Sequence, residues 1–241
     1  MTLILLLLFV FGSGGTPLRD CPTTGAYARK HRVLLVVGHN DFRATLARGD
    51  KYLPQVLYDP GSELMFQMRY SCELEKIAVL SAKYCCKKIR EGTPDKCRRA
   101  LAPEGMSANT FPNVDSSKAD MERLASKAMW TWHRQIASYE LDENATYVNP
   151  NMAEFANMMY YKSTELGCYY NECEHGGVLV CVYNSAPQIN GSIFVPGDKG
   201  CKSDEACSSI IANSTCVAET LETLRTYGTC VKRGYRDQYF A

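Results

Sequence analysis

The most evident chemistry in this 241-residue sequence belongs to its twelve cysteines, all of which follow residue 20. An even number of cysteines is typical of a disulfide framework formed in an oxidising compartment. Clustered thiols can also bind zinc, but Cys168, Cys173 and His175 lack the second ligand pair that such a site needs. We therefore predict disulfides, with a connectivity that the sequence leaves open. The cysteines are Cys21, Cys72, Cys85, Cys86, Cys97, Cys168, Cys173, Cys181, Cys201, Cys207, Cys216 and Cys230.

The tripeptide Arg48-Gly49-Asp50 has the sequence that integrins recognise. The Asp50 carboxylate can complete the coordination of an integrin metal ion, while the Arg48 guanidinium pairs with acidic groups and Gly49 permits a tight turn. Such a tripeptide also arises by chance in about one chain in twenty of this length. These three residues are thus a receptor-binding candidate, with coincidence as the alternative.

The sequence contains four histidines, His31, His39, His133 and His175, and an unperturbed histidine side chain titrates near neutral pH. None of them stands in a known nucleophile motif, and the pattern Gly-x-Ser-x-Gly is absent from the sequence. A serine or cysteine nucleophile needs a base and an orienting third group, and the cysteines are predicted to be oxidised. We predict no enzymatic activity, no catalytic residue and no cofactor.

The charge balance argues against nucleic acid as a partner. Lysine and arginine number 27 against 26 aspartates and glutamates, which gives a net charge of +1 and no global basic field. One segment is locally basic and could attract a sulfated polysaccharide, although a solvated helix face explains it as well. Its cations are Lys83, Lys87, Lys88, Arg90, Lys96, Arg98 and Arg99, set against Glu91 and Asp95.

Two features predict secretion. Residues 3–11 form an apolar run that is too short to span a bilayer and is followed by small residues, as in a signal peptide over residues 1–15. Three Asn-x-Ser/Thr sequons, at Asn144, Asn190 and Asn213, lie in polar stretches and are predicted glycosylation sites. We expect an extracellular protein without a transmembrane segment.

Apolar periodicity predicts four helices that could position these groups. The first covers residues 28–46 and closes at Gly49, although residues 34–37 also fit a strand, and the second covers residues 72–88. The third begins at a capping box, Ser117 to Asp120, and continues through Ile136. The fourth begins at Asn149 and runs to about residue 162, with a methionine stripe typical of a core face.

A hairpin and a tail complete the predicted organisation. Residues 166–170 and 178–183 are β-prone runs separated by a polar segment that ends in two glycines. Residues 201–241 carry four cysteines and few apolar residues, which predicts a small tail that depends on its disulfides. The order of elements predicts an α+β domain over residues 16–200.

The same segments resemble the CAP superfamily of cysteine-rich secretory, antigen 5 and pathogenesis-related proteins, especially its nematode activation-associated and venom-allergen-like branch. Gly38 to Arg43 with Ala47-Arg48-Gly49 is similar to the first-helix motif of the family, and Met68 to Glu75 to the second. Residues 162–168 resemble the turn into the central strand. Val180 to Tyr183 with Pro196-Gly197 resembles the closing signature.

The resemblance implies a disulfide-rich α-β-α sandwich around a small antiparallel sheet, followed by the cysteine-rich tail. It also implies a host-directed binding protein, since relatives in parasitic nematodes include integrin-directed inhibitors of platelets and leukocytes. Its partner would be a host cell-surface receptor. Some relatives instead bind sterols or fatty acids, so a lipid carrier lined by apolar residues at 152–161 is the alternative.

Many CAP domains hold two histidines and two glutamates in a central cleft, where they can bind a divalent metal. Aligned on these motifs, Glu154 stands at the position of a ligand histidine and Gln135 at that of a glutamate. The Gly-Glu-Asn block of the family appears as Ser107-Ala108-Asn109, and no histidine lies between His39 and His133. All four ligands are replaced in this alignment, so we predict no metal site.

Overall fold

A computed structural model describes residues 21, 29–50, 61–93, 97, 102–113, 120–139, 141–174, 176–220 and 226–233. The predicted signal peptide lies outside these residues. In chain order the elements are α1 (Arg29–Arg48), β1 (Arg69–Tyr70), α2 (Cys72–Arg90), β2 (Ser107–Asn113), α3 (Met121–His133), α4 (Ala153–Met159), β3 (Glu165–Glu172), β4 (Gly177–Tyr183), α5 (Asp204–Ile210), β5 (Ser214–Cys216) and β6 (Cys230–Lys232). Short 3-10 helices follow α3 (Arg134–Ser138) and precede α4 (Pro150–Met152).

The central sheet has the strand order β1-β3-β4-β2. Strands β3 and β4 form the predicted hairpin, in which Leu166 faces Tyr183, and β2 pairs with β4 in the antiparallel sense. The two-residue strand β1 adds to β3 in parallel. Pro112 lies in β2, where an edge position tolerates a residue that cannot donate a backbone hydrogen bond.

Strand β4 divides the interior into two apolar layers, since successive side chains of a strand point to opposite faces. Leu179, Cys181 and Tyr183 lie in the layer formed with α1, α3 and α4. The valines at 178, 180 and 182 lie in the layer formed with α2. Every residue of β4 is buried, which places the sheet between two helical layers as an α-β-α sandwich.

Helix α2 lies unusually close to the sheet because β3 carries a glycine at its point of contact. A Cβ atom on Gly167 would overlap the backbone of Leu74 and Glu75. At the edge of the same contact, Arg32 of α1 forms a buried bidentate ion pair with Glu75, with N–O distances of 2.6 and 2.9 Å. The pair joins the two helical layers beside β1.

Two predicted helix boundaries are wrong. The N-cap of α3 is Asp120, whose carboxylate accepts hydrogen bonds from the backbone N–H groups of residues 122 and 123, rather than Ser117. Asp120 itself can satisfy the free N–H groups, so the capping box is not needed. The fourth helix begins with a 3-10 turn capped by Asn149, as predicted, but it ends at Met159 rather than near residue 162.

All twelve cysteines are paired in six disulfides. Three of these attach α2 to other parts of the chain, through Cys72, Cys85 and Cys86. One staples the β3–β4 hairpin and two lie within the tail. The pairs are Cys21–Cys72, Cys85–Cys97, Cys86–Cys173, Cys168–Cys181, Cys201–Cys216 and Cys207–Cys230.

The described part of the tail packs against the segment that precedes β1. The backbone N–H of Gln67 donates to the carbonyl of Cys230, whose own N–H donates to the carbonyl of Met65, both at 2.8 Å. Phe66 is fully buried against the tail disulfides. The sequence left open whether this region packs on the domain, and these contacts fasten it there.

Candidate functional site

Two of the residues that align with family ligand positions lie together between the 3-10 helix after α3 and the first turn of α4. The Nε2 of Gln135 donates a hydrogen bond of 2.6 Å to the Oε2 of Glu154. The Oε1 of Gln135 accepts from the backbone N–H of Phe155 at 3.0 Å. Both polar ends of the Gln135 amide are therefore used, and the Glu154 carboxylate has a neutral partner.

Asn109 of β2 continues this contact into the interior. Its Nδ2 donates to the backbone carbonyl of Glu154 at 2.8 Å and to the hydroxyl of Tyr183 at 3.1 Å. Its Oδ1 accepts from the Nδ2 of Asn157 at 3.0 Å. Asn109 is only 1% exposed, so these bonds replace water around its amide.

His39 closes the chain of hydrogen bonds in a single tautomer. Its Nδ1 lies 2.7 Å from the carbonyl oxygen of Leu35, which can only accept, so Nδ1 carries the proton. The unprotonated Nε2, 2.9 Å from the Tyr183 hydroxyl, then accepts from it. Burial lowers the pKa of His39 to about 4 and raises the pKa of the Tyr183 phenol, so both groups are neutral at physiological pH.

We call these six residues the central polar network. Their hydrogen bonds to one another run between side chains, except that Asn109 reaches Glu154 through its backbone carbonyl. The one carboxylate of the network belongs to the half-buried Glu154. Its members are His39, Asn109, Gln135, Glu154, Asn157 and Tyr183.

The donor set of the network does not fit the divalent metal that the resemblance implies. Such an ion needs converging imidazole and carboxylate ligands, whereas Glu154 faces an amide N–H and His39 is hydrogen-bonded at both ring nitrogens. Over the described ranges, one group of three potential ligand side chains lies close enough to share an ion. It consists of Cys201, Cys207 and Cys230, whose sulfurs are all in disulfides.

Two other histidines lie at the α1–α3 contact and are not members of the network. His133 packs between Phe42 and Phe155, at ring-centroid distances of 4.7 and 5.9 Å, and burial lowers its pKa to about 4. Burial also lowers the pKa of His31. His175 lies outside the described residues.

The candidate tripeptide Arg48-Gly49-Asp50 forms the end of α1. Gly49 adopts a φ of 64°, a conformation that favours glycine, and the chain turns back so that the Asp50 N–H donates to the carbonyl of Thr45. This turn places the Arg48 Nε 2.6 Å from the Asp50 Oδ2. The two groups that an integrin would contact separately are thus paired with each other.

Arg48 is also held by the tail. Its guanidinium lies over the ring of Tyr227, 4.7 Å from the centroid, in a cation–π contact. The Arg48 side chain is 12% exposed as a result, whereas that of Asp50 is 53% exposed. The turn presents a carboxylate to solvent and keeps the guanidinium against the protein.

The predicted glycosylation sites lie at the surface. Asn144, Asn190 and Asn213 are all exposed. An isolated antiparallel bridge between Thr146 and Ser192 brings the first two sequons side by side. Carbohydrate at these positions stays a prediction.

The predicted basic segment is described in part. Lys83, Lys87 and Arg90 are exposed on the outer face of α2, and Lys88 pairs with Glu91 at 2.6 Å. Lys96, Arg98, Arg99 and Asp95 lie outside the described residues.

The apolar residues proposed to line a lipid site are part of the core. Met152, Phe155, Met158 and Met159 are all fully buried and pack in the layer formed with α1 and α3. No helix among the described residues combines the length and the apolarity needed to cross a membrane.

Sequence reasoning missed strand β2 and the roles of Asn109, Asn157 and Tyr183. Ser107-Ala108-Asn109 aligns with the Gly-Glu-Asn block of the family and lacks its glutamate. The asparagine that remains in this block, followed by the β-prone Thr110 and Phe111, is the sequence feature that indicates a strand with a buried amide. Tyr183 ends the closing signature, where a buried hydroxyl requires a partner.

Comparison with known proteins agrees with this architecture. Ancylostoma secreted protein of Ancylostoma caninum is 23% identical over 204 residues, which are 83% of this chain but 45% of that protein, so the chain spans about half of that relative. The structure of BmVAL-1 superposes with a TM-score of 0.68 and 20% identity, covering 89% of this chain and all of the other. That of Hookworm Platelet Inhibitor superposes with a TM-score of 0.60 and 20% identity, covering 88% and 96%.

The conserved architecture and the sequence motifs lead to one assignment. Residues 38–183, from the first-helix motif in α1 to the end of β4, match the family described as CAP, the Cysteine-rich secretory protein family. With well over half of the chain in that match, the protein belongs to the CAP family and is of the venom-allergen-like type.

Proposed function

We propose that this chain is a secreted, non-enzymatic binding protein that acts at the surface of a host cell. The central polar network carries the proposal. Its six residues are joined by hydrogen bonds, one of them to the backbone carbonyl of Glu154, and its histidine and tyrosine are neutral. A site of this kind has no activated nucleophile and no metal donor set, so its role is to stabilise the fold. Binding to a partner then depends on residues at the surface of the protein.

The disulfides and the relatives support the extracellular part of the proposal. Six disulfides are typical of a protein that works in an oxidising environment. The names of the relatives refer to secretion and to inhibition of platelets. We extend to this chain the general activity that these names suggest, which is binding to a target on host cells.

Integrin antagonism through Arg48-Gly49-Asp50 is the specific form of the proposal. It requires the Arg48–Asp50 pair to open, because an integrin takes up the carboxylate and the guanidinium at different points. Asp50 is open to solvent, and ion pairs at a surface contribute about 0–1 kcal/mol, so a receptor can take up the carboxylate, whereas Arg48 must also leave the ring of Tyr227. Asp50 is the more available group, at 53% exposure.

Inhibition of platelet and leukocyte adhesion to immobilised integrin ligands tests this form. The mature, oxidised protein should inhibit adhesion, and Asp50→Ala should remove the inhibition. Asp198→Ala, which removes an exposed carboxylate elsewhere, is the matched control and should inhibit like the parent. Equal inhibition by the parent and Asp50→Ala would place the binding site elsewhere on the domain, and no inhibition by the parent would count against adhesion receptors altogether.

The alternative is a lipid or sterol carrier. The buried methionines of α4 fill the core, so a carrier would need a second apolar surface. Mass spectrometry of an organic extract of the purified protein tests it, and one equivalent of lipid per chain would make this alternative the better assignment.

A further inference from the structure

The outer face of α2 carries a line of cations. Lys76, Lys83, Lys87 and Arg90 are all exposed, and at 3.6 residues per turn they fall within an arc of about 60°. The 14 steps from Lys76 to Arg90 correspond to about 21 Å along the helix axis. The sequence therefore places four positive charges in a nearly straight row in a protein whose net charge is only +1.

Acidic residues lie near two cations of this row, Lys76 and Lys87. Lys76 pairs with Glu73 at 2.8 Å, and Glu91 lies 3.9 Å from Lys87. Within the described part of the chain, no carboxylate lies within 4.0 Å of Lys83 or Arg90. Exposed pairs such as Lys76–Glu73 are weak, so an external anion can replace their carboxylates.

The helix that carries the row is rigidly held. Its opposite face packs Leu74, Ala78 and Ala82 against the valines of β4. Three disulfides fix the same helix at Cys72 and at the adjacent Cys85 and Cys86. The charges are therefore positioned before a ligand arrives, which lowers the entropy cost of binding.

We infer that this face of α2 is a binding surface for a linear sulfated polysaccharide. A straight row of cations without a pocket suits a linear polyanion with fixed, repeated charges. Between Lys76 and Arg90 the helix has one exposed large apolar side chain, Leu80. Its one aromatic residue there, Tyr84, is half-buried and lies under Lys88, 5.4 Å from the ring centroid, so no exposed ring can stack on a nucleic acid base. A single leucine is also a poor membrane anchor, because stable attachment needs a larger buried apolar area.

This inference deepens the proposed function, on which it rests, because sulfated polysaccharides are part of the extracellular surface. It adds a partner class and a surface that the adhesion hypothesis does not use. The surface is distant in sequence from Arg48-Gly49-Asp50, so the two can be tested separately.

Binding of the mature, oxidised protein to immobilised heparin tests the inference. Lys83→Ala/Arg90→Ala should weaken binding about tenfold at 0.15 M NaCl and should lower the slope of log Kd against log salt by about two. The matched control, Arg123→Ala/Lys202→Ala, also removes two exposed cations and should bind like the parent. Equal losses in both variants would show a general charge effect and would overturn the inference.

Two further probes sharpen the test. Chemically desulfated heparin should bind at least tenfold more weakly than heparin, and equal binding would overturn the assignment to sulfate. Binding to phosphatidylserine vesicles without binding to heparin would replace the polysaccharide with a membrane. If the protein inhibits adhesion but does not bind heparin, this inference fails while the proposed function stands. If it binds heparin but has no effect on adhesion, the inference stands while the adhesion-receptor form of the proposed function fails.

Discussion

The central polar network and the outer face of α2 use polar side chains in opposite ways. In the network, Gln135 and Glu154 bind each other and Asn109 bonds to three partners, so these donors and acceptors are satisfied by other residues of the fold. On α2, Lys83 and Arg90 face solvent without a carboxylate partner among the described residues. The first region stabilises the sandwich, whereas the second is available to a partner.

This difference shows that membership of a fold family does not fix where a protein acts. The resemblance to CAP proteins implies a central cleft that can bind a divalent metal. Here two of its ligand positions hold Gln135 and Glu154, whose side chains are hydrogen-bonded to each other. A fold can therefore keep its architecture while its function depends on the surface. Changes in the network should alter stability, and changes on α2 should alter binding alone.

Acidification should have the largest effect on the interior. Burial lowers the pKa of His39 and His133 from 6.5 to about 4, while the unfolded chain takes up protons below pH 6.5. Their contribution to stability is complete above pH 6.5 and is lost as the pH falls toward 4. We expect the free energy of unfolding to fall by about 5 kcal/mol between pH 7 and pH 4.5 in urea titrations with the disulfides intact.

His39→Gln separates this effect from general acid unfolding. The variant lacks one of the two rings whose pKa is lowered to about 4, so about half of their combined pH dependence should disappear even if its stability at pH 7 is lower. A stability profile that is flat from pH 7 to pH 4.5 in the parent would mean that the rings are not kept neutral by burial.

Removal of one hydroxyl from the network should have the next largest effect. Tyr183→Phe leaves the Nε2 of His39 without its donor and one N–H of Asn109 without its acceptor, both in the interior. Unsatisfied buried groups cost about 1–3 kcal/mol, and we expect a loss of about 2 kcal/mol in urea unfolding. Tyr84→Phe, on half-buried Tyr84 of α2, is the control and should change stability by less than about 0.5 kcal/mol.

The sequence predicted the sandwich better than the site. Periodicity and motif order were sufficient for α1, α2 and the β3–β4 hairpin, because these elements bury long apolar runs such as 178–183. The alignment with the family motifs places Gln135 and Glu154 at two metal-ligand positions, but it does not predict the hydrogen bond from the Gln135 amide to the Glu154 carboxylate. Tyr183 lies 74 residues from Asn109 and 144 residues from His39 along the chain, and only the tertiary structure brings the three together.

A second carboxylate in the network should have a smaller, pH-dependent effect. Gln135→Glu places a negative charge beside Glu154 and removes the amide donor, which raises the pKa of the carboxylate pair. We expect a loss of about 1 kcal/mol at pH 7 that diminishes as the pH falls and the pair takes up a proton. Gln188→Glu, at an exposed position, should show neither the loss nor its pH dependence.

The smallest effect on stability should come from the surface proposed to bind polysaccharide. Lys83→Ala/Arg90→Ala removes two exposed cations, and the only expected cost is a few tenths of a kcal/mol from Arg90 near the negative end of the helix dipole. Urea unfolding at pH 7 should therefore agree with the parent to within about 0.5 kcal/mol. A loss of more than about 1 kcal/mol in the free energy of unfolding would show that these two cations stabilise α2. The outer face of α2 would then have a structural role like that of the central polar network, and the contrast between the two regions would disappear.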